Sequence, residues 1–330
     1  MADAFPEELT LALRELATGR SRRTLAARAG HISEQYRDRA PSTWHVAAEE
    51  DTLAYALSRM PATYAAVSYA LWQVDALVDG FSPRTLLDAG SGPGTASWAA
   101  CALWTDMAQV TMLDHNDRFL SLARSLAASS SQPALREAGI LRGDVTAAEW
   151  HAGSHDLVTL AYALTELPDD AVEPTVLRLW NRTEGVLVIV EPGRPHDYRR
   201  LMRAREALVR AGARIAAPCP HDESCPLVDP DWCHFAVRLA RSRDHQALKG
   251  ARLGYEDEKF SYLVAVRPHL TVRGGWSRVI KRPAATKFSM DMQLCTQGGL
   301  VDRQVLKRDK EQFKRARKLE WGDRTAEPGA

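Results

Sequence analysis

The 330-residue sequence predicts an α/β fold: a parallel sheet covered by helices on both faces, a helical region before it and a basic, cysteine-bearing extension after it. Three observations predict it. Short apolar runs alternate with helical segments from Thr85 to Glu191. The first of those runs ends in the glycine-rich turn "DAGSGPG". Beyond about residue 195 the pattern gives way to prolines, cysteines and then clustered basic residues. The expected organisation is a helical region over 1–80, a nucleoside-binding core over 81–195, and a region over 196–330 that completes the fold.

Residues 1–80 read as helical. "PEELTLALRELA" repeats Leu9, Leu13 and Leu16 at spacings of four and three, and "PATYAAVSYALWQVDALV" opens with Pro61 where a first helical residue belongs. "FSPR" around Pro83 then punctuates the chain. "TLLDAG", "QVTMLDHN", "ILRGDV", "HDLVTLAYAL" and "GVLVIVEPG" are the strand candidates, separated by stretches such as "RFLSLARSLAAS". The closing "RTAEPGA" reads as a loose tail.

In "LLDAGSGPGTASWAA" an apolar strand ends at Asp88, and Gly90, Ser91, Gly92 and Gly94 make a tight turn before a helix. Without side chains, glycines adopt unusual dihedrals and let backbone approach a ligand at the carboxyl edge of the sheet. A nicotinamide dinucleotide would fit the same architecture. The later acids break the tie: Asp114 ends the second strand where a carboxylate meets ribose hydroxyls, and Asp144 ends the third near an adenine amino group. The plainer reading is that both cap the following helices. The D-x-G-x-G-x-G turn with two acidic strand ends resembles the class I methyltransferase family, a Rossmann-like fold that binds S-adenosylmethionine.

No catalytic residue is identified. After the fourth strand stands "TLAYALTEL", where Tyr162, Thr165 and Glu166 could line a pocket, in place of the Asn or Asp followed by Pro-Pro and an aromatic that holds an exocyclic base amine. A cysteine nucleophile for cytosine C5 methylation is also missing after the fourth and fifth strands. Cys101 reads as a small buried apolar residue.

"APCPHDESCPLVDPDWCHF", residues 217–235, packs three of the five cysteines and two of the ten histidines between four prolines. Cys219, Cys225 and Cys233 are spaced C-x5-C-x7-C, and sixty-one residues separate Cys233 from Cys295. Prolines after two of the cysteines disfavour helix, so the segment should wrap as a loop that turns several sulfurs to one centre. Spacing leaves zinc, an iron-sulfur cluster and no metal all open: C-x2-C knuckles typical of structural zinc are absent, and clusters accept varied spacings. His221 and His234 keep a mixed site open, although hydrogen-bonded loop histidines are commoner. The C-x3-C-x2-C of radical enzymes is not present.

A composition of 45% hydrophobic and 26% charged residues is that of a soluble globular protein. No apolar run approaches the roughly 18 to 20 residues of a membrane span. The start "MADAFPEELTLALRELATG" has early acids where a leader would be basic or acid-poor, so a cytoplasmic location is expected. The net charge of +1 hides an imbalance: Thr271 to Glu320 holds thirteen Lys and Arg against five Asp and Glu, which leaves the rest at minus seven. Arg278, Lys281 and Arg282, then Lys307, Arg308, Lys314 and Arg315 in the helical-looking "VDRQVLKRDKEQFKRARKLEWGD", are the candidate RNA-binding residues. A solvated charged helix is the plainer reading.

"RMPATYAAV", "LLDAGSGPGTASWA", "EPG", "APCPHDESCPL", "DWCHF", "RLARSRDHQALKGARLGYEDEKFSYL" and "WGD" resemble the ribosomal small-subunit assembly family of methyltransferase-like proteins, which includes mitochondrial methyltransferase-like protein 17 and bacterial relatives. The resemblance spans residues 55 to 323. It implies association with the small ribosomal subunit and its rRNA during late assembly, and a [4Fe-4S] cluster held by Cys219, Cys225, Cys233 and Cys295. It also implies that the cofactor turn is present without assured methyl transfer. With no targeting peptide at its start, the chain is expected in a bacterial cytoplasm, as a monomer and with no membrane partner. The competing classes are an active rRNA methyltransferase and a cluster-based redox or sensing protein.

Overall fold

A computed structural model describes residues 4–37, 48–147, 150, 152–241, 245–246 and 253–326. Its centre is a sheet of β1 (Thr85–Ala89), β2 (Gln109–Asp114), β3 (Gly139–Arg142), β4 (His155–Ala161), β5 (Thr183–Pro192), β6 (Arg214–Ala217), β7 (Phe235–Ala240) and β8 (Tyr255–Val266). The order is β3-β2-β1-β4-β5-β8-β6, with β7 also paired to β8. Strands β1 to β5 run parallel, while β8 is antiparallel to β5, β6 and β7. One reversed strand inserted beside the fifth is the sheet of the class I methyltransferase fold, as the glycine turn and acidic strand ends lead one to expect.

Side chains alternate across this sheet with period two. In β5, Val186, Val188 and Val190 join the core on one face, while Leu187 and Ile189 join the other. The first face is covered by α1 (Glu7–Ala17), α2 (Arg22–Arg37), α3 (Glu49–Leu77), α4 (Thr95–Leu103), α5 (Asp117–Ala128) and the short α6 (Pro133–Arg136). The second is covered by α7 (Val172–Trp180) and α8 (Pro195–Arg210).

Two local expectations fail. Pro61 does not start a helix; α3 runs through it. Met60, Tyr64, Val67, Leu71 and Val74 are all buried, and packing on that scale outweighs the ~3 kcal/mol cost of an interior proline. Nor is the basic segment after residue 299 one helix. It forms β12 (Gly299–Leu306), α9 (Lys310–Ala316) and β13 (Arg324–Ala326). These join β9 (Trp276–Val279), β10 (Ala284–Ala285) and β11 (Ser289–Thr296) in a second, five-stranded sheet of order β10-β11-β9-β13, with β12 on β11. Pairing of β12 with β11 along its whole length overrides the helix propensity of its charged residues. Val279, Met290, Met292, Leu294, Val305 and Ala316 form the small core of this sheet. The expected loose tail is thus in part a strand; its residues 327–330 lie outside the described residues. Among the described residues no helix is long and apolar enough to cross a membrane.

Candidate functional site

At the carboxyl ends of β1, β2 and β4 lies a cavity of about 290 Å³. The turn that forms it takes positive φ at Gly90, Gly92 and Gly94, at 62°, 52° and 85°. Each glycine has its own reason. A Cβ on Gly90 would stand 2.8 Å from the Cβ of Ala163, so the turn and the loop after β4 can touch only without one. A Cβ on Gly94 would meet the Met112 sulfur at 3.0 Å, crowding the side chain that packs beneath the turn, and the positive φ there disfavours any side chain. Gly92 faces open space, so a ligand can approach the turn there without meeting a side chain.

The acids hold this turn as much as they line it. Asp114 is buried; its carboxylate accepts from the Gly92 and Asn116 amides, both at 2.8 Å. Asp88 accepts from the Ser97 amide and hydroxyl on α4 and from the Thr159 hydroxyl on β4, and burial pushes its pKa up to about 6. Asp144 is exposed and accepts from the amide and hydroxyl of Thr146 at 2.8 and 2.7 Å, bonds that close a turn and cap no helix among the described residues, while it also lines the cavity. Ser91 lines it too. Sequence reading missed Tyr55 and Thr63 from α3 and Phe119 from α5, which close the opposite wall, Tyr55 and Phe119 in edge contact at 5.0 Å. Only the packing of α3 against the sheet reveals them.

The loop after β4, where an acceptor amine would be held, is occupied by its own hydrogen bonds. Buried Glu191 accepts from the Leu164 and Thr165 amides at 2.8 and 2.9 Å, Arg200 donates to the Leu164 carbonyl at 2.9 Å, and the Thr165 hydroxyl donates to Asp197 at 2.8 Å. Tyr162 adopts φ 57°, sparsely allowed for a side-chain-bearing residue, and its buried hydroxyl donates to Glu258 at 2.9 Å. Tyr162 and Glu166 line the cavity as expected, whereas Thr165 turns to Asp197.

The cysteine loop joins β6 to β7, two strands that share β8 as partner. It brings Cys219, Cys225 and Cys233 to one cavity together with Cys295, which stands on β11 of the second sheet. All four are free thiols. Among the described residues, no three His, Cys, Asp or Glu side chains group as a site for a metal ion. Burial pushes Cys295 up to about 12 and raises Cys219; Cys233 is raised well above its usual value by burial and then by Cys219 and Cys225. The Tyr198 hydroxyl is 3.0 Å from the Cys225 sulfur, and His221 Nε2 is 3.5 Å from the Cys295 sulfur. His234 instead stacks on Trp232, its Nδ1 3.3 Å from the Trp232 carbonyl.

Two guanidiniums flank this cavity, and neither has a carboxylate partner among the described residues. Arg205, 1% exposed on α8, donates to the His221 carbonyl, and its Nε has no partner. Arg278, also 1% exposed, donates to the Pro218 and Gly322 carbonyls and to the Gln73 side-chain oxygen. Buried cations without counter-charge are costly, and four sulfurs beside them are the groups able to supply it. Arg278 is therefore corrected from an RNA contact to an internal residue: burial among carbonyls leaves no guanidinium edge for a phosphate. Lys281, Arg282, Lys307, Arg308, Lys314 and Arg315 are exposed, Lys281 paired with Asp231 at 3.0 Å and Lys307 5.8 Å from the Phe313 ring centroid.

The family model described as mitochondrial small ribosomal subunit Rsm22 matches residues 49–326. The chain is 28% identical to the human ribosome assembly protein METTL17, mitochondrial, over 289 residues, which cover 82% of this chain and 62% of that protein. It is 23% identical to the Rsm22-cox11 tandem protein 2, mitochondrial, of Schizosaccharomyces pombe, covering 88% of this chain and 45% of that one. It thus spans less than two thirds of the length of these relatives. Among solved structures, magnesium protoporphyrin IX methyltransferase from Synechocystis with bound SAH aligns at TM-score 0.41 and 17% identity over 62% of this chain and 83% of that one. The plantazolicin methyltransferase BpumL with SAH aligns at 0.43 and 11% over 73% and 99%. The expected cytoplasmic location is overturned, because the matching family and these relatives are mitochondrial and point to a mitochondrial placement instead.

Proposed function

The chain belongs to the mitochondrial small ribosomal subunit Rsm22 family, and from that premise we propose a methyltransferase-like ribosome assembly factor that binds S-adenosylmethionine, holds a structural [4Fe-4S] cluster and docks on small-subunit rRNA. The helices of 1–80, the core of 81–195 and the region 196–330 supply, in turn, a wall of the nucleoside pocket, its floor, and the thiols with the basic surface. No catalytic role is assigned to any side chain.

S-adenosylmethionine suits the first cavity because no side chain blocks approach to the turn at Gly92, whose amide Asp114 holds in place, and because Asp114 and Asp144 both line the space. When bound it supplies an activated methyl group. The chain's own residues favour holding over transferring: the Leu164 and Thr165 amides and the Leu164 carbonyl, which would otherwise orient an acceptor, are committed to Glu191 and Arg200. That commitment ranks the assembly reading above an active amine methyltransferase. Labelled S-adenosylmethionine incubated with immature small subunits tests it, since a stoichiometric methyl mark would refute the non-catalytic reading.

The observation that carries the cluster is the meeting of Cys219, Cys225, Cys233 and Cys295 at one cavity beside Arg205 and Arg278. Four thiolates are a complete donor set for a cubane core, and their negative charge answers the two buried cations. Three of them hang on the β6–β7 loop and the fourth on β11, so a shared core clamps the second sheet to the edge of the first. Anaerobically purified protein should contain iron and acid-labile sulfide, and C295S should lose the brown absorbance together with rRNA affinity. Zinc alone, or unchanged affinity after loss of the colour, would count against this role.

A further inference from the structure

We infer that the cleft between α3, β7 and the β9–β13 edge binds an unpaired nucleotide of single-stranded RNA, its base stacked on Trp72 and its phosphate held by Arg324. The inference rests on the RNA-docking reading and gives it a site outside the basic residues singled out from the sequence. The cleft encloses about 500 Å³, within the range of ligand pockets, and Trp72 on α3, 39% exposed, lines it. Tyr69, Gln73, Arg238, Arg278 and Arg324 complete the part that matters here.

The charge of the cleft is unbalanced. Arg324 has no carboxylate partner among the described residues; its guanidinium carbon lies 5.7 Å from the Trp72 ring centroid and 6.0 Å from that of Trp276. It stands directly opposite Arg278 across the β9–β13 ladder, a like-charge pair that costs stability unless an anion sits between or beside the two. Burial, and then the charge of Arg278, lower the Arg324 pKa. Arg278 itself is spent on neutral acceptors. The acid that lines the cleft, Asp323, accepts from the Glu320 amide at 2.8 Å, and Arg238 is committed to Asp257 at 2.7 and 2.8 Å. What remains on offer is one guanidinium between two indoles. An acidic peptide would use the guanidinium and leave the exposed indole idle, whereas a nucleotide uses both.

The test is anisotropy of a labelled uridine octamer titrated with the full chain across a salt series. W72A should weaken binding about tenfold, with W72F retaining most of the affinity. R324Q should lower the slope of log affinity against log salt by about 0.7, and R324K should restore it. Thermal unfolding checks that each variant folds; should W72A not fold, W72F and the Arg324 pair still decide, because removal of the indole should lower the tryptophan quenching by RNA. Unchanged affinity and slope in these variants would overturn the cleft. So would polyglutamate displacing the octamer with the same dependence on Trp72, which would mark a peptide site. Cosedimentation of the wild type with immature small subunits reads the assembly role separately: its failure beside Trp72-dependent octamer binding sinks that role and leaves the cleft, whereas cosedimentation with an indifferent octamer does the reverse.

Discussion

Asp88 illustrates how one residue can be read correctly in position and incompletely in role. Its place before the glycine turn was plain in the sequence, but not that its carboxylate is fully enclosed between Ser97 and Thr159. Burial raises its pKa from 3.8 to about 6, so between those values the folded state binds more protons than the unfolded state. Its contribution to stability therefore declines as pH rises through that window. Relative to D88N, the wild type should lose about 2 kcal/mol between pH 4 and pH 7, read by urea unfolding of both proteins; parallel profiles would refute the assignment. Three of the cysteines were legible as a group because few chemistries need three thiols among four prolines. Arg205 and Arg278 were not, since an arginine reads as surface charge by default, and only the fold decides whether it meets solvent or sulfur.

Strands β1, β2, β4 and β5 were legible as apolar runs because a central parallel strand is buried on both faces and carries little else, whereas the edge strand β3 is only partly buried. The second sheet was hidden by the opposite property. One face of β12 is solvent-exposed, so its Asp302 and Arg303, with Lys307 just beyond it, suggest a helix, and its pairing with β11 is an event that no local periodicity announces. Its core is small, and Leu294 is fully enclosed within it. L294A should therefore cost about 2–5 kcal/mol locally. Hydrogen exchange should quicken in β9, β11 and β12 while β1, β4 and β5 keep their protection; uniform loss across both sheets would show that the second sheet has no independent stability. Since Cys295 follows Leu294 on β11, the same variant should also impair loading of the proposed cluster.

At the scale of the whole molecule the second sheet meets the first through the hydrogen bond of Arg278 to the Pro218 carbonyl, the Lys281–Asp231 pair, the edge contact of His234 with Trp321, and the thiol cavity. Filling that cavity should stabilise the chain by mass action, about 3 kcal/mol when the loaded state is favoured a hundredfold. The reconstituted protein should then melt several degrees above the chelated one, and C295S should remove the difference; equal midpoints would deny the linking role. The overall class was legible because topology follows from the alternation of elements, whereas the junction depends on residues sixty positions apart. A last consequence concerns where the family match begins, at residue 49. Leu9, Leu13, Leu25 and Ile32 of α1 and α2 are 0–3% exposed and belong to the same core as α3. A polypeptide started at residue 49 would present that bared leucine-binding stripe to water and self-associate, so the first two helices act as a solubilising cover for a domain whose recognisable sequence does not include them.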